Sequence, residues 1–161
     1  MVILGIDPGI ERTGFGVINV DAAGAKPLDF GRIRTAKTLP FATRLRELTG
    51  DLTSIILKWR PDYAAVEELF FSKNTKTAMT VAHARGVVLE LLEEHGIPVI
   101  ELNPGTVKQS ITGNGRADKT QVMRMIKRLL NISQPLAYDD VADALAVAMC
   151  ASTMTKTYAA H

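Results

Sequence analysis

Apolar and polar positions along the chain follow two rhythms, one of short continuous runs and one of helical stripes. Val2-Ile3-Leu4-Gly5-Ile6, ending at Asp7, reads as a buried strand. Residues 14–20 and about 27–35 read as two more, separated by the turn-rich Asp21-Ala22-Ala23-Gly24. Links this short favour antiparallel neighbours, so the chain is expected to open with a three-stranded meander. From Pro40 to Trp59 the apolar positions Phe41, Leu45, Leu48, Leu52, Ile55, Ile56 and Trp59 make one helical stripe, and Pro61 bars its continuation. Asp62–Glu67 is a short strand. A long helix is expected from about Thr75 to His95, ended by Gly96, and then a strand over Ile97–Leu102.

Asn103-Pro104-Gly105-Thr106 suits a helix start, with a short helix to Ile111 and a flexible loop over Thr112–Arg116. Asp118 would cap a helix over Lys119–Leu130, and Asp139 or Asp140 a last one to about Ser152. Five strands and their helices in this order predict an α/β fold: a mixed five-stranded sheet, antiparallel on one side, with helices on both faces. One domain is expected over residues 1–152, with 153–161 a flexible tail that has little to bury.

A chain of 161 residues with 47% hydrophobic and 22% charged positions fits a single folded domain and is short for two. No apolar run reaches membrane-spanning length, and no basic segment followed by an apolar core opens the chain, so a cytoplasmic protein without a membrane partner is expected. Cys150 is the single cysteine and lies in an apolar run, where a buried, inert thiol is expected. A net charge of +2 does not by itself mark a nucleic-acid binder. The basic residues are unevenly spread, with Lys73 and Lys76 after the Glu67 strand, then Lys108, Arg116, Lys119, Arg124, Lys127 and Arg128. Taken singly, each reads first as part of a solvated helix face.

The acids carry more information. Asp7 ends one apolar strand and Glu67 another, while Asp140 and Asp143 open an alanine-rich apolar helix. Asp-Pro-Gly is also a good turn, and that turn can be what fixes the Asp7 carboxylate. Alternation leaves Glu67 and Glu68 both open as the inward residue. Asp140 and Asp143, three apart, lie on one side of a helix, and Asp139, Asp140 and Asp143 together exceed what capping requires. Buried carboxylates brought together repel, by about 4 kcal/mol for two at 4 Å and an effective dielectric of 20. A divalent cation with a preference for oxygen ligands, Mg²⁺ or Mn²⁺, would relieve that repulsion. The pattern points to metal-dependent phosphoryl transfer. His83, His95 and His161 lack zinc-ligand spacing, and no phosphate-binding loop of the glycine-lysine kind is present.

Several motifs, in order, resemble RuvC-type Holliday-junction resolvases: Gly5-Ile6-Asp7-Pro8-Gly9, Thr13-Gly14-Phe15-Gly16-Val17, Arg60-Pro61-Asp62-Tyr63 with Val66-Glu67, Phe70 and Lys73-Asn74. Ala84-Arg85-Gly86-Val87, Val107-Lys108-Gln109, Lys119-Thr120-Gln121-Val122 and Asp140-Val141-Ala142-Asp143-Ala144-Leu145-Ala146 continue the series. The resemblance implies an RNase H-like fold, a homodimer, and two divalent cations held by Asp7, Glu67, Asp140 and Asp143. It favours Glu67 over Glu68. Asp140 is the least fixed of the four, since some members of that family carry a histidine there. The resemblance further implies paired nicks in a four-way DNA junction, with Lys108 and Lys119 at the scissile phosphate and Phe70 stacked on unpaired bases. Lys73 and Arg116 are expected to bind DNA, the helix near Met79, Val81 and Ala82 to form the dimer interface, and the RuvA–RuvB branch-migration complex to be a partner. Two rivals remain at this point: an RNA-processing nuclease of the YqgF type, which shares the first motif, and a junction-binding protein without nuclease activity.

Overall fold

In a computed structural model, residues 1–68 and 75–158 are described, with side chains of the helical residues 75–77 and 156–158 left aside. Strands β1 (Val2–Asp7), β2 (Arg12–Asp21) and β3 (Gly24–Arg34) form the antiparallel meander, and β4 (Tyr63–Glu67) and β5 (Val99–Leu102) join in parallel. The sheet order is β3-β2-β1-β4-β5. Helices α1 (Phe41–Trp59), α2 (Thr75–Glu94), α3 (Pro104–Thr112), α4 (Lys119–Leu129) and α5 (Asp139–Tyr158) cover its two faces.

Strand alternation divides the core. Leu4, Ile6, Val17, Ala64 and Val66 face one way and pack with Leu48, Leu52 and Ile56 of α1 and Ala84, Val88, Leu91 and Leu92 of α2. Ile3, Ile18, Val20 and Ala65 face the other way and meet α3, α4 and α5. α5 is apolar nearly all round, with Leu145 and Val147 fully buried, because it lies between the sheet and the α3–α4 pair. Cys150 is buried in it with a free thiol.

Local chemistry sets the element ends. α1 stops where Arg60 turns left-handed at φ 45° before Pro61, and its N–H bonds back to the Ile56 carbonyl. Asn103 caps α3 by accepting from Gly105 N–H at 2.8 Å, with Pro104 in the first turn. Asp118 and Gln121 form a reciprocal capping box on α4. The last helix runs on to Tyr158, past the end expected near Ser152. Thr155 is buried there and satisfies its hydroxyl on the Ser152 carbonyl, so helix continues where a loose tail from residue 153 was expected. Among the described residues, no helix is long and apolar enough to cross a membrane.

α5 lies unusually close to the sheet. A side chain at Gly5 would fall on the Ala144 carbonyl and within 2.8 Å of the Ala148 Cβ, and one at Gly14 would fall on the Asp140 carbonyl. Only hydrogen fits between strand and helix at these points. By contrast, nothing lies within 4 Å of a side chain added at Gly50, inside α1. Gly5→Ala is therefore expected to lower the urea unfolding midpoint by the equivalent of about 3 kcal/mol or more. Gly50→Ala is expected to raise stability by roughly 0.5–1 kcal/mol. Equal midpoints for the two variants would refute this account of the α5 contact.

Candidate functional site: an acidic cleft at the strand ends

β1 and β4 are parallel neighbours with Ile6 opposite Val66, so Asp7 and Glu67 leave the sheet side by side. The same face carries Ile3 and Ala65 under α5, which directs Asp7 and Glu67 toward that helix. Glu68 follows the strand end, bonds through its N–H to the Leu102 carbonyl, and lines a different cavity, beside Tyr63 and Met154. The turn after Asp7 is pinned by Thr13, a buried side chain whose hydroxyl donates to the Gly9 carbonyl at 2.5 Å. Asp62 clips the far ends of the two strands, accepting from Val2 N–H at 2.7 Å.

α5 brings the remaining acids. Asp140 and Asp143 open it, and the bare backbone at Gly14 lets Asp140 settle on β2 directly beside Asp7. One cavity of about 300 Å³ is lined by Asp7, Glu67, Lys108, Lys119 and Asp143. An adjoining one of about 440 Å³ is lined by Asp7, Lys119, Asp139, Asp140 and Asp143 together with Arg12, Arg32 and Tyr138. Asp7, Glu67, Asp140, Asp143, Lys108 and Lys119 thus share one cleft. Arg116 is exposed on the loop before α4 and lines neither cavity. Phe70 and Lys73 lie outside the described residues.

Electrostatics reflect the crowding. Burial, followed by repulsion from Glu67, Asp143 and Asp140, pushes the Asp7 carboxyl up to about 8. Burial and the Asp143 charge raise Glu67 to about 7, with Lys108 and Lys119 opposing. Asp143 is also raised, chiefly by burial, against the pull of Lys119. Lys119 Nζ stands 3.5 Å from Asp143 and 3.8 Å from Asp139. Its position in the first turn of α4 opposes that helix's dipole, and the acids of α5 compensate.

The donor chemistry fits a hard divalent cation: carboxylate oxygens, partly desolvated, converging from two strand ends and a helix. Among the described residues, no three His, Cys, Asp or Glu side chains stand close enough to grip an ion as they are. Cations of the protein itself stand against two of the acids, Lys119 on Asp143 and Arg32 on Asp140.

Three residues of the cleft wall, Arg12, Arg32 and Tyr138, escaped the sequence reading. Arg32 faces the site only because β3 pairs Arg32 with Gly14, a register that the alternation of Phe30-Gly31-Arg32-Ile33 does not disclose. Arg85, in the Ala84-Arg85-Gly86 motif, also has a role visible only in three dimensions: it donates through Nε to the Glu67 carbonyl at 3.2 Å and pairs with Glu101.

A mixed sheet of this order, with carboxylates gathered at adjacent strand ends beneath a helix, defines a nuclease-like domain of the RNase H-like fold. The family model for "Crossover junction endodeoxyribonuclease RuvC" matches residues 3–151. A protein of that name from Caldicellulosiruptor saccharolyticus is 52% identical over 151 residues, 93% of this chain and 91% of its own. The structure of Thermus thermophilus RuvC superposes with a TM-score of 0.89 at 33% identity, covering 98% of this chain and 97% of that one. The same protein in complex with a Holliday junction substrate gives 0.88 at 31% identity, covering 98% and 96%. The chain belongs to the RuvC family of crossover junction endodeoxyribonucleases.

The Asp7 shift has a sign that can be checked. A carboxyl of ordinary value 3.8 that rises to about 8 on folding stays protonated in the folded state while the unfolded chain ionises. Its contribution is intact below about pH 4 and is lost as pH rises through 8. In chelator, the wild type should lose several kcal/mol, to order of magnitude, between pH 5 and pH 9. Asp7→Asn should remove a large part of that slope, leaving the share carried by Glu67 and Asp143, and be the more stable protein at pH 9. Urea unfolding at both pH values measures it, and parallel slopes for the two proteins would contradict the crowding described here.

Proposed function

We propose that this chain resolves four-way (Holliday) DNA junctions in recombination and repair, by hydrolysing one phosphodiester in each of two symmetry-related strands. The observation that carries the reading is the convergence of Asp7, Glu67, Asp140 and Asp143 with Lys108 and Lys119 in one open cleft of a RuvC-family fold. Carboxylates facing a phosphate backbone oppose binding by themselves, so a catalytically silent binding module would gain nothing from keeping them. Asp7, Glu67, Asp140 and Asp143 would hold two divalent cations, Mg²⁺ with Mn²⁺ able to replace it. When bound, such cations supply the Lewis acidity that generates a nucleophilic hydroxide from water and stabilises the departing 3′ oxygen.

The protein's own groups do the rest. Asp7 and Glu67, fixed on adjacent strand ends, set the line of attack. Lys119, already paired with Asp143, would turn its ammonium to the non-bridging oxygens of the scissile phosphate as charge develops. Lys108, half-buried in the same cleft, would bind the phosphate from the α3 side. The products are a 5′ phosphate and a 3′ hydroxyl, which a ligase can rejoin. Phe70 is assigned to stacking on unpaired junction bases, worth about 1–3 kcal/mol per base, and Lys73 and Arg116 to flanking phosphates. A homodimer supplies two sites related by a two-fold axis, and α2 is the proposed interface. Met79, 63% exposed there, is an apolar surface of the kind such an interface covers. Docking of the RuvA–RuvB complex belongs to the same reading.

A labelled, branch-migratable four-way junction tests it in Mg²⁺ and in Mn²⁺. The wild type should give paired, religatable nicks. Asp7→Asn should lose at least about a hundredfold in rate while still binding the junction in Ca²⁺. Preference for a structured RNA would instead favour an RNA-processing role of the YqgF type, and binding without cleavage in either metal would overturn the nuclease reading.

A further inference from the structure

Arg32 is paired with Gly14 across β2 and β3, and its side chain is only 10% exposed. Its Nη1 stands 3.8 Å from Asp140 Oδ2, and its guanidinium carbon lies 3.4 Å from the centroid of the Tyr138 ring. The other Asp140 oxygen, Oδ1, accepts from Val141 N–H at 3.1 Å. Arg32 Nε is buried and has no hydrogen-bond partner.

As a stabilising contact this arrangement is poor. The ion pair is too long for a hydrogen bond, and the buried N–H without a partner costs free energy. An apolar side chain of similar length would pack there without either penalty. What Arg32 does supply is a permanent positive charge, since a guanidinium does not titrate in the working range. The Tyr138 ring and the surrounding burial keep that charge from swinging into solvent.

We propose that Arg32 is a positioning residue acting through Asp140: it holds that carboxylate at the rim of the cleft and offsets its charge, so that divalent cations bind more weakly than four free carboxylates would bind them. The inference rests on reading Asp7, Glu67, Asp140 and Asp143 as cation ligands. A unit charge a few ångströms from a divalent ion changes its affinity by on the order of tenfold even when well screened. A DNA phosphate that enters the cleft adds negative charge of its own, which offsets the fixed charge of Arg32. Cation loading and junction binding therefore favour each other, and by linkage the coupling is reciprocal.

Mn²⁺ binding to the full-length protein, read from the loss of the free-ion electron paramagnetic resonance signal, tests this with Arg32→Met, Arg32→Gln and Arg32→Lys. The neutral variants should bind Mn²⁺ on the order of tenfold more tightly than wild type in the absence of DNA. Arg32→Lys, which keeps the charge, should stay near wild type. A packing defect alone would weaken binding and would not be rescued by lysine. Using two neutral variants guards against one failing to fold, which circular dichroism reports. Unchanged or weaker Mn²⁺ binding in the folded neutral variants, or tightening by Arg32→Lys as well, overturns the role of Arg32 and leaves the nuclease reading intact. Absence of Mn²⁺ binding in every protein, wild type included, overturns the cation reading and this proposal with it.

Discussion

The contact between α5 and the two strands β1 and β2 is the constraint on which the rest of the molecule depends. Helices ordinarily stand off a sheet by the thickness of two side-chain layers. Here Gly5 and Gly14 remove one of those layers, and the helix backbone comes down on the strands at Ala144 and Asp140. The close approach buries an alanine-rich helix efficiently, because small side chains are what fit beneath it. It also brings the acidic first turn of that helix against the end of β1. Core packing and the acidic cleft are one structural event.

The resulting cleft is electrostatically uncomfortable, as the raised Asp7, Glu67 and Asp143 carboxyls record. The neighbourhood moderates the strain with fixed cations. Lys119, at the start of a well-capped helix, meets Asp139 and Asp143, while Arg32, clamped under Tyr138, meets Asp140. The two cations differ in freedom. Lys119 is exposed on a flexible stem and can redirect its charge. The Arg32 side chain is only 10% exposed and cannot. That difference assigns one to changing partners during a reaction and the other to setting a constant background charge.

On the opposite face of the sheet, α1 and α2 supply the support that the site itself lacks. Leu4, Ile6, Ala64 and Val66 pack into them with no polar group to satisfy, which makes the two central strands rigid up to their acidic ends. Arg85 of α2 adds a polar tie by bonding the Glu67 carbonyl. Through that tie the helix proposed as a dimer interface touches the backbone of a proposed cation ligand. A site built on paired central strands holds its geometry better than one built on loops.

Most of the architecture was legible in the sequence, because it rests on short-range physics. Apolar runs ending at Asp7 and Glu67 made the strands, Pro61 and the capping residues Asn103 and Asp118 set helix ends, and the meander followed from its short links. The last helix was read too short because the threonine-rich run after Ser152 looks like a tail until tertiary contacts bury Thr155. The acids of the cleft were visible as residue types in suggestive places, and the family motifs selected among them. What alternation left open between Glu67 and Glu68 depended on which sheet face α5 covers. Arg32, Arg12 and Tyr138 were not legible at all, and Arg85 was legible only as a motif residue whose contacts were unknown. Their roles depend on strand register and helix placement between residues far apart in the chain. The sequence by itself determined the elements and the stock of carboxylates, since propensity, periodicity and capping act over a few residues. Only the tertiary structure decided which cations face them, because that is set by the approach of one helix to two glycine-floored strands.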